Sequence, residues 1–144
     1  MDIAVLTPLW EKTLRKKCDL GEHALSEDER LWLLLREHID DVEDNSIIGF
    51  YCGDGAANIE AIIAGWLSLG AEDMANIFER GTTLFDCYGL VQDDLAKEKL
   101  IEAWQDPECQ KIFSDMDDDF DHALPKAEAL LDQVARRILL ANKE

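Results

Sequence analysis

Residues 26–43 read SEDERLWLLLREHIDDVE, and this stretch decides the fold of the chain. Ser26 and Glu29 form a capping-box pattern, in which each side chain accepts a hydrogen bond from the backbone N–H group of the other residue. The apolar residues that follow recur at helical spacing: Leu31, Leu35, Ile39 and Val42. The stretch therefore predicts an amphipathic helix that ends near Glu43.

Start and stop signals divide the whole chain into about seven helical segments with short connections. We expect helices to begin at Thr7-Pro8, Ser26, Ile59, Ala71, Gln92, Asp106-Pro107 and Pro125, and to stop at Gly21, Gly70 and Gly89. No segment shows sustained period-two alternation, which a half-buried strand would require. We predict an all-α fold, a compact multi-helix bundle of about seven helices without a sheet, in a single domain that spans residues 1–144.

Residues 45–55 are the least regular stretch of the chain, and we predict a loop there. Its aromatic residues would anchor it to the core, and its glycines would provide positive φ angles. The residues to which we assign this structural role are Asn45, Gly49, Phe50, Tyr51, Gly53 and Gly55.

Gly81 lies on the apolar face of the helix predicted after Ala71. Glycine in a helix interior costs roughly 1 kcal/mol relative to alanine. We expect this glycine to allow a neighbouring helix to approach closely.

The chain is strongly acidic, with 32 Asp and Glu residues against 14 Lys and Arg and a formal net charge of −18. Because 47% of its residues are hydrophobic, the acid covers a foldable core instead of forming a disordered tail. Direct binding to nucleic acid is disfavoured, since phosphates would meet carboxylates. The one basic cluster, Lys12, Arg15, Lys16 and Lys17, suits the C-terminal half of a helix.

Two stretches hold acid without nearby base. Between Arg36 and Arg80 there are ten acidic residues and no Lys or Arg, so intrahelical ion pairs cannot neutralise this region. We define the first acidic patch as Glu37, Asp40, Asp41, Glu43 and Asp44, and the second acidic patch as Asp115, Asp117, Asp118, Asp119 and Asp121. The first patch also opposes the dipole of its own helix, so something other than helix stability favours it. Both patches are candidate electrostatic contacts for a basic partner.

Motifs for other chemistry are weak or absent. Asp115, Asp117 and Asp119 are spaced like the start of a calcium loop, but Phe120 stands where that loop needs glycine. His38, near Asp40 and Asp41, lacks a second histidine at helical spacing, so we assign it to a surface or half-buried position. The four cysteines form no close pair, and no nucleophile or phosphate-loop motif occurs. We therefore expect no metal, no cofactor and no catalytic residue. Without an export signal or a long apolar run, we expect a soluble, cytoplasmic protein that does not bind membranes.

Several of these segments resemble a family of bacterial, all-helical, acidic DNA-mimic proteins over roughly residues 20–85, with weaker agreement beyond. The similarity is carried by Leu25 to Arg30, Asp41 to Asn45, Gly49-Phe50-Tyr51, Ile62 to Ala71, and the helix from Ile77 to Phe85. Family members commonly place two glycines directly after the asparagine, where this chain has Ser46-Ile47. The resemblance implies a non-enzymatic protein that engages a basic DNA-binding protein, such as a helix-turn-helix repressor, and a homodimer.

Three other hypotheses remain open from the sequence. An acidic helical protein equally suits an immunity-type inhibitor of a basic nuclease toxin. A small enzyme would use the Gly53-Asp54-Gly55 turn with His38 or Tyr51, and would need a pocket with convergent polar groups. Acidity that serves solubility alone is the fourth hypothesis.

Overall fold

The computed structural model describes residues 1–87, 102 and 105–142. Within these residues it contains five α-helices and no strand, so the all-α class is confirmed and the count of about seven helices is wrong. The expected helix start near Gln92 and stop at Gly89 lie outside the described residues. The helices are α1 (Ile3–Leu20), α2 (Glu27–Cys52), α3 (Ile59–Ser68), α4 (Glu72–Cys87) and α5 (Pro107–Ala141), with 3-10 turns at Glu22–Ala24 and Asp54–Asn58.

Helix α1 begins earlier than its predicted start at Thr7-Pro8. The Asp2 carboxylate accepts a hydrogen bond of 3.2 Å from the Ala4 N–H group, and this cap starts the helix at Ile3. Pro8 therefore lies inside α1, where it cannot donate to the preceding turn. The predicted stop is confirmed, because Gly21 has a φ of 88° and its N–H group donates to the Lys17 carbonyl.

The capping box at the start of α2 is confirmed. Ser26 Oγ accepts from the Glu29 N–H group at 3.1 Å, and Glu29 Oε1 accepts from the Ser26 N–H group at 3.0 Å. The same carboxylate oxygen accepts from Lys16 Nζ at 2.9 Å. One buried glutamate therefore caps α2 and joins it to α1.

Helix α2 continues beyond its predicted end near Glu43, so the predicted loop is wrong for residues 45–52, whereas Gly53 ends the helix and a 3-10 turn follows it. The helix has one non-helical residue, Ser46, with φ 63° and ψ 173°, and runs on to Cys52. The residues after this kink are buried, and their burial explains why the chain resumes the helix. They are Ile47, Ile48, Phe50 and Tyr51.

Gly81 confirms the expected close approach in α4. A Cβ atom added there would lie 2.6 Å from the Tyr51 hydroxyl oxygen and 2.7 Å from a ring carbon of the same side chain. The neighbour is thus the end of α2. The Tyr51 hydroxyl donates to the Phe78 carbonyl at 2.7 Å, which fixes α2 against α4.

Pro125 does not start a separate helix, contrary to the prediction, because α5 runs without interruption from Pro107 to Ala141. The predicted start at Asp106-Pro107 is confirmed, since the Asp106 carboxylate accepts from the Glu108 N–H group at 3.1 Å. Proline costs α5 one hydrogen bond. The apolar stripe nevertheless continues at seven-residue steps through the proline, at Phe113, Phe120, Ala127 and Val134, all buried.

The core lies around α2, which packs against α1, α3 and α5, while α4 packs against α3 and α5. Its largest fully buried side chains include Trp32, Trp66, Phe50, Phe78 and Phe113. Within the described residues no single helix is both long and apolar enough to span a membrane, although α2 and the bent segment that follows it pass that test as a pair.

Candidate functional site

The two acidic patches lie on neighbouring helices, the first on α2 and the second on α5. Four carboxylates in each patch are exposed, and one in each, Asp41 or Asp117, is half-buried. The two half-buried residues make internal contacts that the sequence did not indicate. The patches therefore differ from plain solvated helix faces.

The first acidic patch divides into two stripes, because positions four apart share a face of a helix. Asp40, Glu43 and Asp44 lie on the side of α2 that faces α5, where Glu128 joins them. Glu37 and Asp41 lie on the other side, next to the 3-10 turn that follows α2. One stripe thus extends across two helices, and the other borders a pocket.

Arg36 lies at the edge of the first stripe and partly compensates its charge. Its guanidinium group lies 3.4 Å from Glu128 and 3.9 Å from Asp40. The expectation that the patch lacks a nearby base is therefore corrected at this edge. One arginine still faces four carboxylates here: Asp40, Glu43, Asp44 and Glu128.

Burial and mutual repulsion both act on this stripe. Burial raises the pKa of Asp40, with Asp44 and Glu128 adding to the rise and Arg36 opposing it. Burial also raises the pKa of Glu43, followed by repulsion from Glu128 and Asp40. Such repulsion stores unfavourable energy that a cation from outside would relieve.

The second acidic patch points in three directions from α5. Asp117 faces α2, Asp119 faces α4, and Asp115 and Asp118 lie on the outer surface between them. The buried face of the same helix is formed by Phe113, Met116 and Phe120. The patch thus contacts α2 through Asp117 on one side and α4 through Asp119 on the other.

Asp117 connects the second patch to α2, just beyond the first patch. Its Oδ1 atom accepts a hydrogen bond of 2.9 Å from the N–H group of Ile47, the first residue after the kink in α2. The kink leaves N–H groups without intrahelical partners, as any helix start does. Burial raises the pKa of Asp117, and the Ile47 hydrogen bond opposes that rise. A carboxylate from α5 thus caps the last turns of α2.

Asp119 pairs with Arg80 of α4, at 3.0 Å. The expectation of acid without a nearby base is corrected here as well. Both side chains are more than half exposed, 58% for Arg80 and 51% for Asp119, so solvent screens the pair strongly. The ion pair positions α5 beside α4 and leaves Asp115, Asp118 and Asp121 exposed.

Four of the six residues predicted to form a structural loop lie in α2, where the two aromatic residues belong to the core. Phe50 and Tyr51 are buried, and the Gly53 N–H group donates to the Gly49 and Phe50 carbonyls at the end of α2. None of Gly49, Gly53 and Gly55 has the positive φ angle that was predicted for them. The residue of this stretch with a positive φ is Ser46. Asn45 donates to Asp41 at 2.8 Å.

Sequence reasoning missed Glu128, Arg36 and Arg80 as members of the site. Glu128 and Arg80 meet their patches across a helix boundary, so spacing along the chain did not indicate them, whereas Arg36 lies four residues before Asp40 on the same helix and its spacing could have indicated it. His38 was assigned as a surface or half-buried residue, but it is 3% exposed. Among the described residues no group of three or more His, Cys, Asp and Glu side chains could hold a metal ion.

Comparison with known proteins identifies one family. No curated protein and no solved structure matched the chain. A family model described as DMP19-like protein matches residues 23–138. The matched region contains both acidic patches and is consistent with an all-helical DNA-mimic family.

Proposed function

Because the chain belongs to the DMP19-like protein family, we propose that it is a DNA mimic that occupies the basic DNA-binding surface of another protein. The observation that carries this proposal is the hydrogen bond from Ile47 to Asp117, which holds the helix of the second patch against α2 just beyond the first patch. Eight exposed carboxylates then lie on two packed helices, with Arg36 and Arg80 at their edges.

The geometry of duplex DNA favours a mimic built from more than one helix. Phosphates follow one another every ~3.4 Å along each strand, whereas equivalent positions on one helix repeat every ~5.4 Å. A single helix therefore cannot match a row of phosphates. A surface built from α2 and α5 together can place carboxylates between those positions, and Glu128 of α5 adds a further one beside Arg36 and Asp40.

The partner we propose is a DNA-binding protein of the cytoplasm, such as a helix-turn-helix repressor. Its lysines and arginines would exchange phosphates for carboxylates, so binding should weaken steeply with salt. A non-enzymatic role agrees with the state of Tyr51, whose hydroxyl donates to a backbone carbonyl. Burial raises the pKa of Tyr51 to about 12, which makes it a poor acid or base near neutral pH.

Affinity capture with charge-neutralised variants tests the proposal. The first variant combines Asp40→Asn, Glu43→Gln and Asp44→Asn, and the second combines Asp115→Asn, Asp118→Asn and Asp121→Asn. Both leave Asp41 and Asp117 intact because those residues make internal contacts. We expect the wild-type chain to retain a DNA-binding protein at low salt and to be displaced from it by duplex DNA. Each variant should bind that protein at least ~10-fold more weakly.

The matched control neutralises three exposed acids elsewhere, Glu60→Gln, Glu72→Gln and Glu108→Gln, and should bind like the wild type. An equal loss of affinity in the control variant would mean that the total charge of the chain, and not the two patches, attracts the partner. Retention of a nuclease whose activity the chain inhibits would favour the immunity-type alternative. If duplex DNA does not compete with the chain for the captured protein, DNA mimicry is wrong.

A further inference from the structure

A small pocket lies beside the first acidic patch, between α2, the 3-10 turn that follows it and α3. Its volume is about 130 Å³. For comparison, an engineered apolar cavity of ~150 Å³ in another protein accommodates benzene. The residues that matter for its chemistry are Glu37, His38, Asp41, Phe50, Gly55 and Asn58. The pocket is slightly smaller than that cavity and suits one flat group smaller than benzene.

His38 is the unusual member of this pocket. It is 3% exposed, and neither ring nitrogen has a hydrogen-bond partner within the described part of the chain. Its ring contacts Phe50 and Phe78 edge to face, with centroids 4.8 and 4.4 Å away. Buried polar atoms in native proteins are nearly always hydrogen-bonded, so an imidazole without a partner indicates a missing one.

The protonation state of His38 defines what that partner must offer. Burial lowers the pKa of His38 to about 3, so the ring is neutral at physiological pH. A neutral imidazole has one N–H donor and one acceptor nitrogen. The acceptor nitrogen, the Glu37 and Asp41 carboxylates and the Asn58 amide oxygen are four groups that can accept hydrogen bonds at one small site.

We propose that this pocket binds a guanidinium group. A guanidinium is flat, carries five N–H donors in one plane and is weakly hydrated, so it can leave water for a partly apolar site. The Phe50 ring supplies an aromatic wall, which favours such a cation. An ammonium has only three donors and a firmly held hydration shell. An anion would be repelled by Glu37 and Asp41.

Asp41 is the residue that shapes the entrance. A Cβ atom added at Gly55 would lie 2.5 Å from Asp41 Oδ2 and 3.1 Å from a Phe50 ring carbon. Glycine at position 55 thus lets the backbone pass directly beside the carboxylate. Asn45 donates to the other oxygen of Asp41 at 2.8 Å, which holds the carboxylate in place.

The guanidinium can come from a protein or from a small molecule. Glu37 and Asp41 belong to the first acidic patch, so an arginine of a protein bound to that patch could enter the pocket, and this source rests on the proposed function. Arginine side chains that fill desolvated pockets commonly dominate the energy of an interface. A free guanidino compound would use the same contacts without any protein partner.

A titration with methylguanidinium tests the pocket itself, without any partner protein. The imidazole NMR signals of His38 are followed at constant ionic strength, with the exposed His23 and His122 as internal controls. We expect a saturable shift at His38 alone, and binding of methylammonium at least ~10-fold weaker, as loss of a charge-assisted contact implies. Equal responses to both cations, or a His38 signal that responds to neither, would overturn the proposal.

Two variants assign the site. Asp41→Asn and, separately, Glu37→Gln should each weaken methylguanidinium binding ~10-fold, whereas Asp115→Asn removes the same charge far from the pocket and should not. Glu37 is exposed, so its variant remains informative if Asp41→Asn proves unstable. Unchanged affinity in Glu37→Gln and Asp41→Asn would contradict the assigned site.

A second comparison identifies the source. N-acetyl-arginine amide lacks the carboxylate of free arginine, which the acidic patch would repel. Tighter binding of the amide supports a protein side chain as the occupant, and tighter binding of free arginine supports a small molecule. Failure of the methylguanidinium titration would leave the capture result for the proposed function unaffected, so the two proposals fail separately.

Discussion

Ser46 is the residue with the most unusual backbone in the described chain. Its φ of 63° combined with a ψ of 173° lies in a region that is essentially reserved for glycine. A side chain in that region costs about 1–3 kcal/mol. A glycine at position 46 would adopt this conformation without that cost.

Ser46→Gly should therefore stabilise the protein. Relief of the strain outweighs the ~0.5–1 kcal/mol that glycine loses in entropy on folding, so we expect the free energy of unfolding to rise by about 1 kcal/mol. Urea denaturation measures this change. The matched control is Ser114→Gly, at an exposed position inside α5, where glycine should destabilise by about 0.5 kcal/mol. A loss of stability in Ser46→Gly similar to the control would show that residue 46 is not strained.

Residue-scale features were predictable where their partners are close in sequence. The Ser26 and Glu29 capping box needs only a four-residue pattern and was predicted correctly. The burial of His38 was not predictable, because the aromatic rings around it come from distant parts of the chain, including Phe78 in α4. Its sequence neighbours Glu37 and Asp40 indicated a surface position instead.

At the scale of helices, the contact between Asp117 and Ile47 determines how α2 resumes after its kink. Asp117→Ala removes the acceptor for the Ile47 N–H group, and we expect a loss of about 1–2 kcal/mol in the free energy of unfolding. Asp117→Asn keeps an acceptor oxygen and removes the repulsion from Asp121 and Asp118. The free energy of unfolding of Asp117→Asn should therefore be close to that of the wild type. Chemical denaturation followed by circular dichroism provides the measurement.

Asp118→Ala is the matched control for this contact, because Asp118 is exposed and adjacent. It should change stability by less than about 0.5 kcal/mol. If Asp117→Ala is no less stable than Asp118→Ala, Asp117 does not cap α2. That outcome would also remove the link between the second patch and α2 on which the proposed function rests.

Helix boundaries were less predictable than helix existence. Pro125 and Gly49 are ordinarily breakers, so local rules placed a helix boundary or a loop there. The helices continue because buried apolar residues lie on both sides, such as Phe120 and Ala127 around Pro125. The free energy of burying those side chains exceeds the cost of a lost hydrogen bond, and only the packed structure shows which residues are buried.

At the scale of the whole molecule, stability should depend on pH through two opposed groups of residues. Burial lowers the pKa of His38 from 6.5 to about 3, so only the unfolded chain gains this proton as the pH falls below 6.5. Stability is lost over that window at about 1.4 kcal/mol per pH unit. Burial raises the pKa of Asp40, Glu43 and Asp117, so their protonation at lower pH favours the folded state.

Comparison of the wild type with His38→Phe separates these effects. Between pH 7 and pH 5, the free energy of unfolding of the wild type should fall by about 2 kcal/mol more than that of the variant, because only the wild type has the buried imidazole. The carboxylates contribute equally to both proteins. His122→Gln, which removes an exposed histidine, should follow the wild type. If the free energy of unfolding changes with pH in the same way in the wild type and in His38→Phe, His38 is not buried as a neutral imidazole.

The whole-molecule charge was evident from composition, but its arrangement was only partly so. The sequence indicated which helices carry the acidic patches. It did not indicate that Asp117 turns toward α2, that Glu128 meets Arg36, or that Arg80 reaches the second patch, because those contacts depend on how helices pack. Packing contacts between distant residues have no local signature in a single sequence.

The uninterrupted course of α5 through Pro125 has a consequence for the thermodynamics of association. A helix of 35 residues is about 52 Å long, and one face of it is buried along both halves while its N-terminal half carries the second acidic patch on the exposed side. A flexible acidic peptide would lose about 1–2 kcal/mol of backbone entropy for each residue ordered on binding. Here that loss has already occurred on folding. The entropic cost of forming a complex therefore falls mainly on the long basic side chains of the partner.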